Sequence, residues 1–317
     1  MGTLNALKNV ISVGITSKWY VLFSILVLAY LLVWLNRKFG PNKMSRIEGF
    51  ANGQTKKFER KTGDDVYDEF YTEIYDELFF QPNKLDYEIA SVIKEADLVP
   101  NNTSMLDVGS GRGHFVDQMR DRGFTVTGVD KSSAMVDSSK KMYPDANFKR
   151  GDATNQMLFS AENFTIITCL TFTLYYIQDK RRFFENCYYW LSPGGYLVLH
   201  LVDRQKFDPI APAGKPYFLI SPQSMTDERM TKTSVKFETF QYKSEFDLKT
   251  DDDGVLVETF TDDVSGKIRQ NTHKYDMPSH KQILKMAKET GFVMSGEIDL
   301  VHCMNEYQYL YILKKPN

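Results

Sequence analysis

Residues 105–119 read MLDVGSGRGHFVDQM, and this stretch decides the fold. An apolar run (Met105, Leu106, Val108) stops at Gly109-Ser110-Gly111-Arg112-Gly113, and helical spacing starts at Phe115. An apolar run that ends in turn residues and gives way to a 3.6-residue period is a buried strand turning into a helix. Three glycines in five residues let the backbone take left-handed conformations and let a ligand approach with no Cβ in the way. The helix N-terminus behind them leaves N–H groups facing whatever occupies the turn. A plain strand–helix turn seldom needs three glycines, so the stretch reads as a ligand-binding loop.

Working outward, Asp107 sits two residues before the first glycine, and the spacing is G-x-G-x-G because position 114 is His. Dinucleotide-binding loops use G-x-G-x-x-G. A second strand, 125–129, ends in Asp130, where an acid about 20 residues past the glycines accepts hydrogen bonds from ribose hydroxyls in Rossmann-like sheets. The plainer alternative is a helix cap, which Ser132 or Ser133 would supply equally well. A third strand, 146–150, runs into Gly151-Asp152-Ala153. A fourth, 164–169, is continuously apolar, as in a parallel sheet covered on both faces. A helix over 180–190, the turn Leu191-Ser192-Pro193-Gly194-Gly195 and a fifth strand, 196–201, follow.

Taken in order, these motifs over residues 105–201 resemble those of the class I S-adenosylmethionine-dependent methyltransferases. The resemblance implies an α/β, Rossmann-like seven-stranded sheet of order 3-2-1-4-5-7-6 and S-adenosyl-L-methionine as cofactor. It implies a cofactor site made of Asp107, Gly109, Ser110, Gly111 and Gly113 in the loop, Asp130 and Lys131 toward the ribose, and Asp152 and Ala153 at the adenine. Leu170 opens a loop, 170–176, that would border the reacting methyl group. The competing readings are an NAD(P)-dependent oxidoreductase, which the glycine spacing disfavours, and a non-catalytic nucleotide-binding scaffold, which the intact acids and glycines disfavour.

Composition sets the bounds. With 317 residues, 42% apolar, the chain builds one large core with attachments. A net charge of −2 without a long Lys/Arg run disfavours nucleic acid as a partner. The cysteines Cys169, Cys187 and Cys303 have no metal-ligand spacing, so no metal is expected, and a reduced compartment suits them.

Residues 19–35 (WYVLFSILVLAYLLVWL) carry no charge and have aromatic residues at both ends. The run spans about 25 Å as a helix, the short end of what crosses a bilayer. It is expected to be a single transmembrane anchor after a tail, 1–18, with a linker at 36–57 and the methyltransferase domain at 58–317. Arg37, Lys38, Lys43 and Arg46 behind the span place that domain on the cytosolic face.

The spacing of Tyr67, Phe70, Tyr71, Ile74, Tyr75 and Leu78 predicts a helix over 66–80, and a second covers 85–96. In the resembling family such a helix covers the cofactor and contributes a tyrosine, which makes Tyr67 or Tyr71 a candidate. An insertion at about 204–278 reads as an antiparallel meander: strands 235–249, 254–261 and 268–275, with Asp251-Asp252-Asp253-Gly254 as a hairpin turn. A helix over 279–290 and strands 293–301 and 307–313 close the chain. The resemblance implies that the insertion walls a small substrate.

Methyl transfer is an in-line displacement in which positioning does most of the work, and a base helps only a protonated nucleophile. His200, at the end of strand five, is the best-placed ionisable residue, although a hydrogen-bonded structural histidine is an equal reading. Tyr175, Tyr176 and His273 are further candidates, and no catalytic residue is assigned. Cys169-Leu170-Thr171-Phe172 stands where amino-methylating nucleic-acid and glutamine enzymes carry Asp/Asn-Pro-Pro-Tyr. The expected acceptor is a small, lipophilic molecule or lipid, reached from the membrane.

Overall fold

The computed structural model describes residues 18–32, 56–215, 223, 226 and 228–317. The chain enters its large unit through β1 (Phe58–Thr62), a 3-10 turn over Gly63–Val66, α1 (Glu69–Phe79) and α2 (Pro82–Glu95). Then come β2 (Ser104–Val108), α3 (His114–Asp121), β3 (Thr125–Asp130), α4 (Ser133–Met142), β4 (Asn147–Arg150) and β5 (Phe164–Cys169). The short α5 (Thr173–Tyr176), α6 (Lys180–Trp190) and β6 (Leu191–Val202) follow. The insertion supplies β7 (Lys232–Lys236), β8 (Phe240–Leu248), β9 (Asp253–Asp262) and β10 (Ile268–Asp276). Helix α7 (His280–Thr290) and strands β11 (Val293–Asp299) and β12 (Gln308–Lys314) end the chain.

Seven strands form one sheet in the order β11-β12-β6-β5-β2-β3-β4. Counted among themselves along the chain and read from the β4 edge, that order is 3-2-1-4-5-7-6. Strand β12 alone runs antiparallel to its neighbours. The strands β2 and β5 are buried almost throughout, as helices on both faces of a parallel sheet require. Their carboxyl ends bring residues 107–113, 130–132 and 170–173 to one edge of the sheet, where ligands bind in open α/β folds.

The insertion folds as a second sheet, β1-β10-β9-β8-β7. Its inner face joins the core of the large sheet, since Phe246, Tyr275 and Met277 pack in one cluster with Tyr175, Leu199 and Leu201. Four features differ from expectation. Strand β1, unforeseen, pairs in parallel with β10, from Phe58 opposite Ile268 to Thr62 opposite Thr272. The single strand expected over 235–249 is a hairpin, β7–β8, whose turn is held by stacking of Phe237 on Phe240 at 4.6 Å and contains no Gly, Pro or Asn to signal it. The helix expected from residue 66 starts later, because the Asp68 carboxylate caps it by accepting the Tyr71 N–H at 3.2 Å. Strand β6 starts at Leu191, five residues earlier than expected; Gly194, at φ +77°, lets Pro193-Gly194-Gly195 bulge without leaving the sheet.

Residues 18–32 form a helix in a separate compact unit, with its apolar side chains exposed. Among the described residues no helix is long and apolar enough to cross a membrane. Residues 18–32 would span about 22 Å of a hydrocarbon core about 30 Å thick. The structure therefore does not show the expected transmembrane helix as a crossing element. Residues 33–35 of that run, and nearly all of the expected tail and linker, lie outside the described residues.

Candidate active site

The three glycines of the loop do three different things. Gly109 (φ +71°) lies so close to α5 that a Cβ would meet the Thr173 side chain at 2.3 Å. Gly111 (φ +52°) faces open space, where a ligand would lie. Gly113 (φ +86°) is the left-handed N-cap of α3, and a Cβ there would meet Phe148 at 2.4 Å. Gly113 thus packs the loop against β4 and, contrary to expectation, does not line the cleft.

The loop's N–H groups are also not as expected. Gly109 and Ser110 both donate to the Val129 carbonyl (2.8 and 3.0 Å), Gly113 donates to the Ser110 carbonyl (2.9 Å), and Gly111 donates to Asp130 Oδ2 (2.9 Å). All three glycine N–H groups and that of Ser110 are therefore bonded within the protein, which leaves fewer donors for a pyrophosphate than an open glycine loop offers.

Around this loop lies a cleft of about 1100 Å³. Asp107, Gly109, Ser110, Gly111, Asp130, Lys131, Asp152, Ala153 and Leu170 line it together. Asp107 is buried and accepts the Thr168 hydroxyl at 2.7 Å; burial pushes its carboxyl up to about 7. Asp130 accepts the N–H groups of Gly111 and Ser132, both at 2.9 Å, and burial raises it above the ordinary carboxylate range despite them. Asp152 is more exposed. Burial works to raise it, but the Thr154 N–H and hydroxyl, with Lys131 at 3.3 Å, hold it below the ordinary range. Acids aimed at a concave surface suit a cationic ligand and sugar hydroxyls. A buried Asp beside a cation regains its charge at neutral pH.

The other end of the cleft is aromatic: Phe172, Tyr176, Phe207, Phe246 and Tyr275, with Tyr67 just before α1 and Tyr71 in its first turn. Behind its wall runs a polar chain. Tyr176 Oη lies 2.7 Å from His273 Nδ1, and His273 Nε2 lies 2.7 Å from Glu258 Oε2. Tyr71 Oη approaches the same Nε2 at 3.4 Å. Glu258 is fully buried and also accepts Tyr242 Oη at 2.9 Å and Asn271 Nδ2 at 3.4 Å.

His200 is elsewhere. It is fully buried outside the cleft lining, its Nδ1 bonded to the Thr171 carbonyl and its Nε2 to Gln308 Oε1 at 3.0 Å. Burial holds it neutral, well below the ordinary histidine range. Thr171 has φ +50°, and His200 clamps that left-handed residue; this is the structural histidine of the alternative reading. Tyr175 is likewise buried, its hydroxyl accepting the Val202 N–H at 2.8 Å.

Glu258 escaped the sequence reading, although a signal was present. Along β9 the inward positions include Gly254, Glu258 and Phe260, and along β10 they are Arg269, Asn271, His273 and Tyr275. Polar residues in the buried phase of an alternating strand mark an internal site, because each must find a partner there.

Side chains tie α1 over the cleft. Asp76 Oδ2 receives Arg112 and His114, both at 2.8 Å; Ser132 Oγ donates to the Tyr67 carbonyl at 2.7 Å; and buried Arg269 reaches Asp68 at 2.8 Å and the Val66 carbonyl at 3.0 Å.

With that geometry in place, the similarities to known proteins are specific. Residues 106–199 match the family described as a methyltransferase domain. The ubiquinone biosynthesis O-methyltransferase of Coxiella burnetii is 30% identical over 114 residues, 35% of this chain and 48% of that protein. The dTDP-4-amino-2,3,4,6-tetradeoxy-D-glucose N,N-dimethyltransferase of Saccharopolyspora spinosa is 34% identical over 104 residues, 32% of this chain and 41% of that one. The chain thus spans about half the length of the curated relatives it matches. An S-adenosylmethionine-dependent methyltransferase of Clostridium acetobutylicum superposes with a TM-score of 0.58 at 18% identity, over 78% of this chain and 98% of that one, and so shares the fold. The segment carrying the glycine loop thus matches a methyltransferase domain, and the fold around it is shared with a protein described as an S-adenosylmethionine-dependent methyltransferase.

Proposed function

We propose that this chain transfers the methyl group of S-adenosylmethionine to a small, lipophilic acceptor held in the aromatic end of the cleft. A single observation carries the reading: one cleft joins an acid-lined glycine loop, whose glycine N–H groups are bonded within the protein, to an aromatic chamber. When bound, the cofactor supplies a methyl carbon activated by its sulfonium. The protein's residues do the rest. Asp130, already fixed by Gly111 and Ser132, has lone pairs left for ribose hydroxyls, and Asp107 offers its carboxylate to a cation. Asp152 and Ala153 border the adenine position. Aromatic walls exclude water and hold a flat apolar acceptor in line. The named activities of the two relatives, on a ubiquinone precursor pathway and on a nucleotide sugar, support a small-molecule acceptor.

The same proposal includes tethering by residues 19–35, with residues 58–317 on the cytosolic side. The uncharged apolar run, its exposed side chains over 18–32 and the basic residues that follow support it.

Calorimetric titration tests the core of this reading. S-adenosylmethionine should bind and NADH should not; the reverse would sink it. Asp130→Ala should weaken cofactor binding about 10- to 100-fold, the cost of one or two hydrogen bonds to a carboxylate. Unchanged affinity would remove the ribose assignment. Deleting residues 1–57 should release the protein from the membrane fraction, and continued sedimentation with membranes would end the tethering proposal.

A further inference from the structure

Resting on the reading of the cleft as a methyltransferase site, we infer that Tyr176, His273 and Glu258 form a proton relay that serves a hydroxyl acceptor, a phenol in particular.

The tautomer follows from the partners. A carboxylate only accepts, so His273 Nε2 carries its hydrogen toward Glu258 Oε2 at 2.7 Å. Nδ1 is left with a lone pair, and the Tyr176 hydroxyl donates to it at 2.7 Å. The three groups are graded by burial: Tyr176 half-buried on the cleft wall, His273 2% exposed and also bordering the cleft, Glu258 fully buried at the end. Burying a carboxylate and an imidazole costs several kcal/mol unless both are well paired. The fold meets that cost with Tyr242 and Asn271 on Glu258, and at the cleft end Tyr176 Oη also lies 3.2 Å from the Tyr275 hydroxyl.

The step balances as follows. An acceptor hydroxyl donates to Tyr176 Oη. As its oxygen bonds to the methyl carbon, the sulfur–methyl bond breaks and its electron pair stays on sulfur. The acceptor's proton moves to Tyr176 Oη, whose own proton moves to His273 Nδ1. Burial holds the Tyr176 phenol well above its ordinary range, so it passes one proton as it receives another. The sulfonium charge vanishes as an imidazolium charge appears beside Glu258. The cleft therefore keeps its net charge, and no ion is stranded in a poorly solvated space.

The same geometry selects the acceptor. A hydroxyl keeps lone pairs for attack while it donates its proton. An alkylammonium has none until it is deprotonated, and it would bring a second cation beside the sulfonium. Phe172 and Tyr275, which pack against each other with ring centroids 5.8 Å apart, form part of the cleft wall along which an aromatic ring bearing that hydroxyl can lie.

The test uses the full chain, S-adenosylmethionine and three probes at about pH 8: 4-methylphenol, which stays protonated, 4-nitrophenol, which is largely ionised, and benzylamine. Tyr176→Phe should lower kcat on 4-methylphenol about 100-fold, and at least tenfold less on 4-nitrophenol, which has no proton to shed. His273→Gln should show the same selectivity, and the double variant should be no worse than the worse single one. Equal losses on both phenols, or no loss on either, would overturn the relay. Methylation of benzylamine alone, or of no probe by a wild-type chain that binds S-adenosylmethionine, would overturn the hydroxyl acceptor while sparing the methyltransferase reading. Failure to bind S-adenosylmethionine would remove that reading itself.

Discussion

The cofactor end of the cleft takes its groups from residues 107–153, the ends of three strands met in quick succession. The aromatic end gathers Tyr71 and His273 across 202 residues of sequence and brings Tyr176 and Glu258 between them. At the first end the backbone itself is the template: parallel strands set the positions of Asp107, Asp130 and Asp152, and the loop closes on its own N–H groups. At the second, side chains from β8, β9 and β10 of a separate sheet meet others from α1 and α5. The lesson is separability. A chemistry of acceptor choice is mounted on a cofactor platform with which it shares few residues, so substitutions should sort by end.

The largest effect should come from Gly109→Val. A β-branched side chain in a left-handed position, driven into Thr173, should cost about 3–5 kcal/mol of stability and abolish measurable S-adenosylmethionine binding. Chemical denaturation and calorimetry check both, and intact binding would break the comparison at its firmer end. Next is Arg269→Ala on the other side. Losing a buried guanidinium that reaches Asp68, Val66 and Asn271 should cost about 3 kcal/mol. It should raise the acceptor KM several-fold more than the cofactor Kd; equal changes would show that the ends are not separable.

A pH effect should follow from Asp107. Its folded carboxyl sits near 7 and its unfolded one near 3.8, so the native state holds the proton longer. The stabilising contribution is complete below about pH 4 and is lost as pH rises through 7. Binding a cation reverses the demand, so cofactor affinity should rise between about pH 6 and 8 and flatten in Asp107→Asn. The smallest effect on turnover is expected for His200→Gln, within about twofold in kcat. His200 is held neutral when folded, so its contribution is present above the unfolded value, near 6.5, and is lost as pH falls below it. The variant should therefore lose part of the wild-type decline in stability between about pH 6.5 and 5. A large kcat loss would return His200 to the chemistry.

Legibility in the sequence follows the same divide. The strand–glycine–helix unit, the acid ending β3 and the run of β5 are local patterns, and local patterns survive in a linear reading. Nine of the ten expected cofactor positions line the cleft, and Gly113 misses because a glycine needed for packing against Phe148 looks the same in sequence as one needed for a ligand. The aromatic end is non-local. Tyr176 and His273 were in view as single residues, but nothing in their own segments says they meet. His200 drew attention by standing at a strand end, yet depth decides whether such a residue faces a cleft, and depth depends on what packs above. The β7–β8 turn stayed hidden because stacked phenylalanines, which read as strand, make it.

The pairing of β1 with β10 has a consequence in time. Arg60 and Gln270 are 210 residues apart, so on a ribosome adding about 5–20 residues per second the first strand of the domain waits about 10–40 s for its partner. Strands β2–β6, which carry the glycine loop and its acids, are synthesised during that wait and can pair among themselves, while β11 and β12 of the same sheet follow β10. The strand meanwhile is an unpaired edge, open to mispairing or to a chaperone. The second sheet is complete only when this early strand finds β10, so the acceptor chamber takes shape well after the glycine loop has been made.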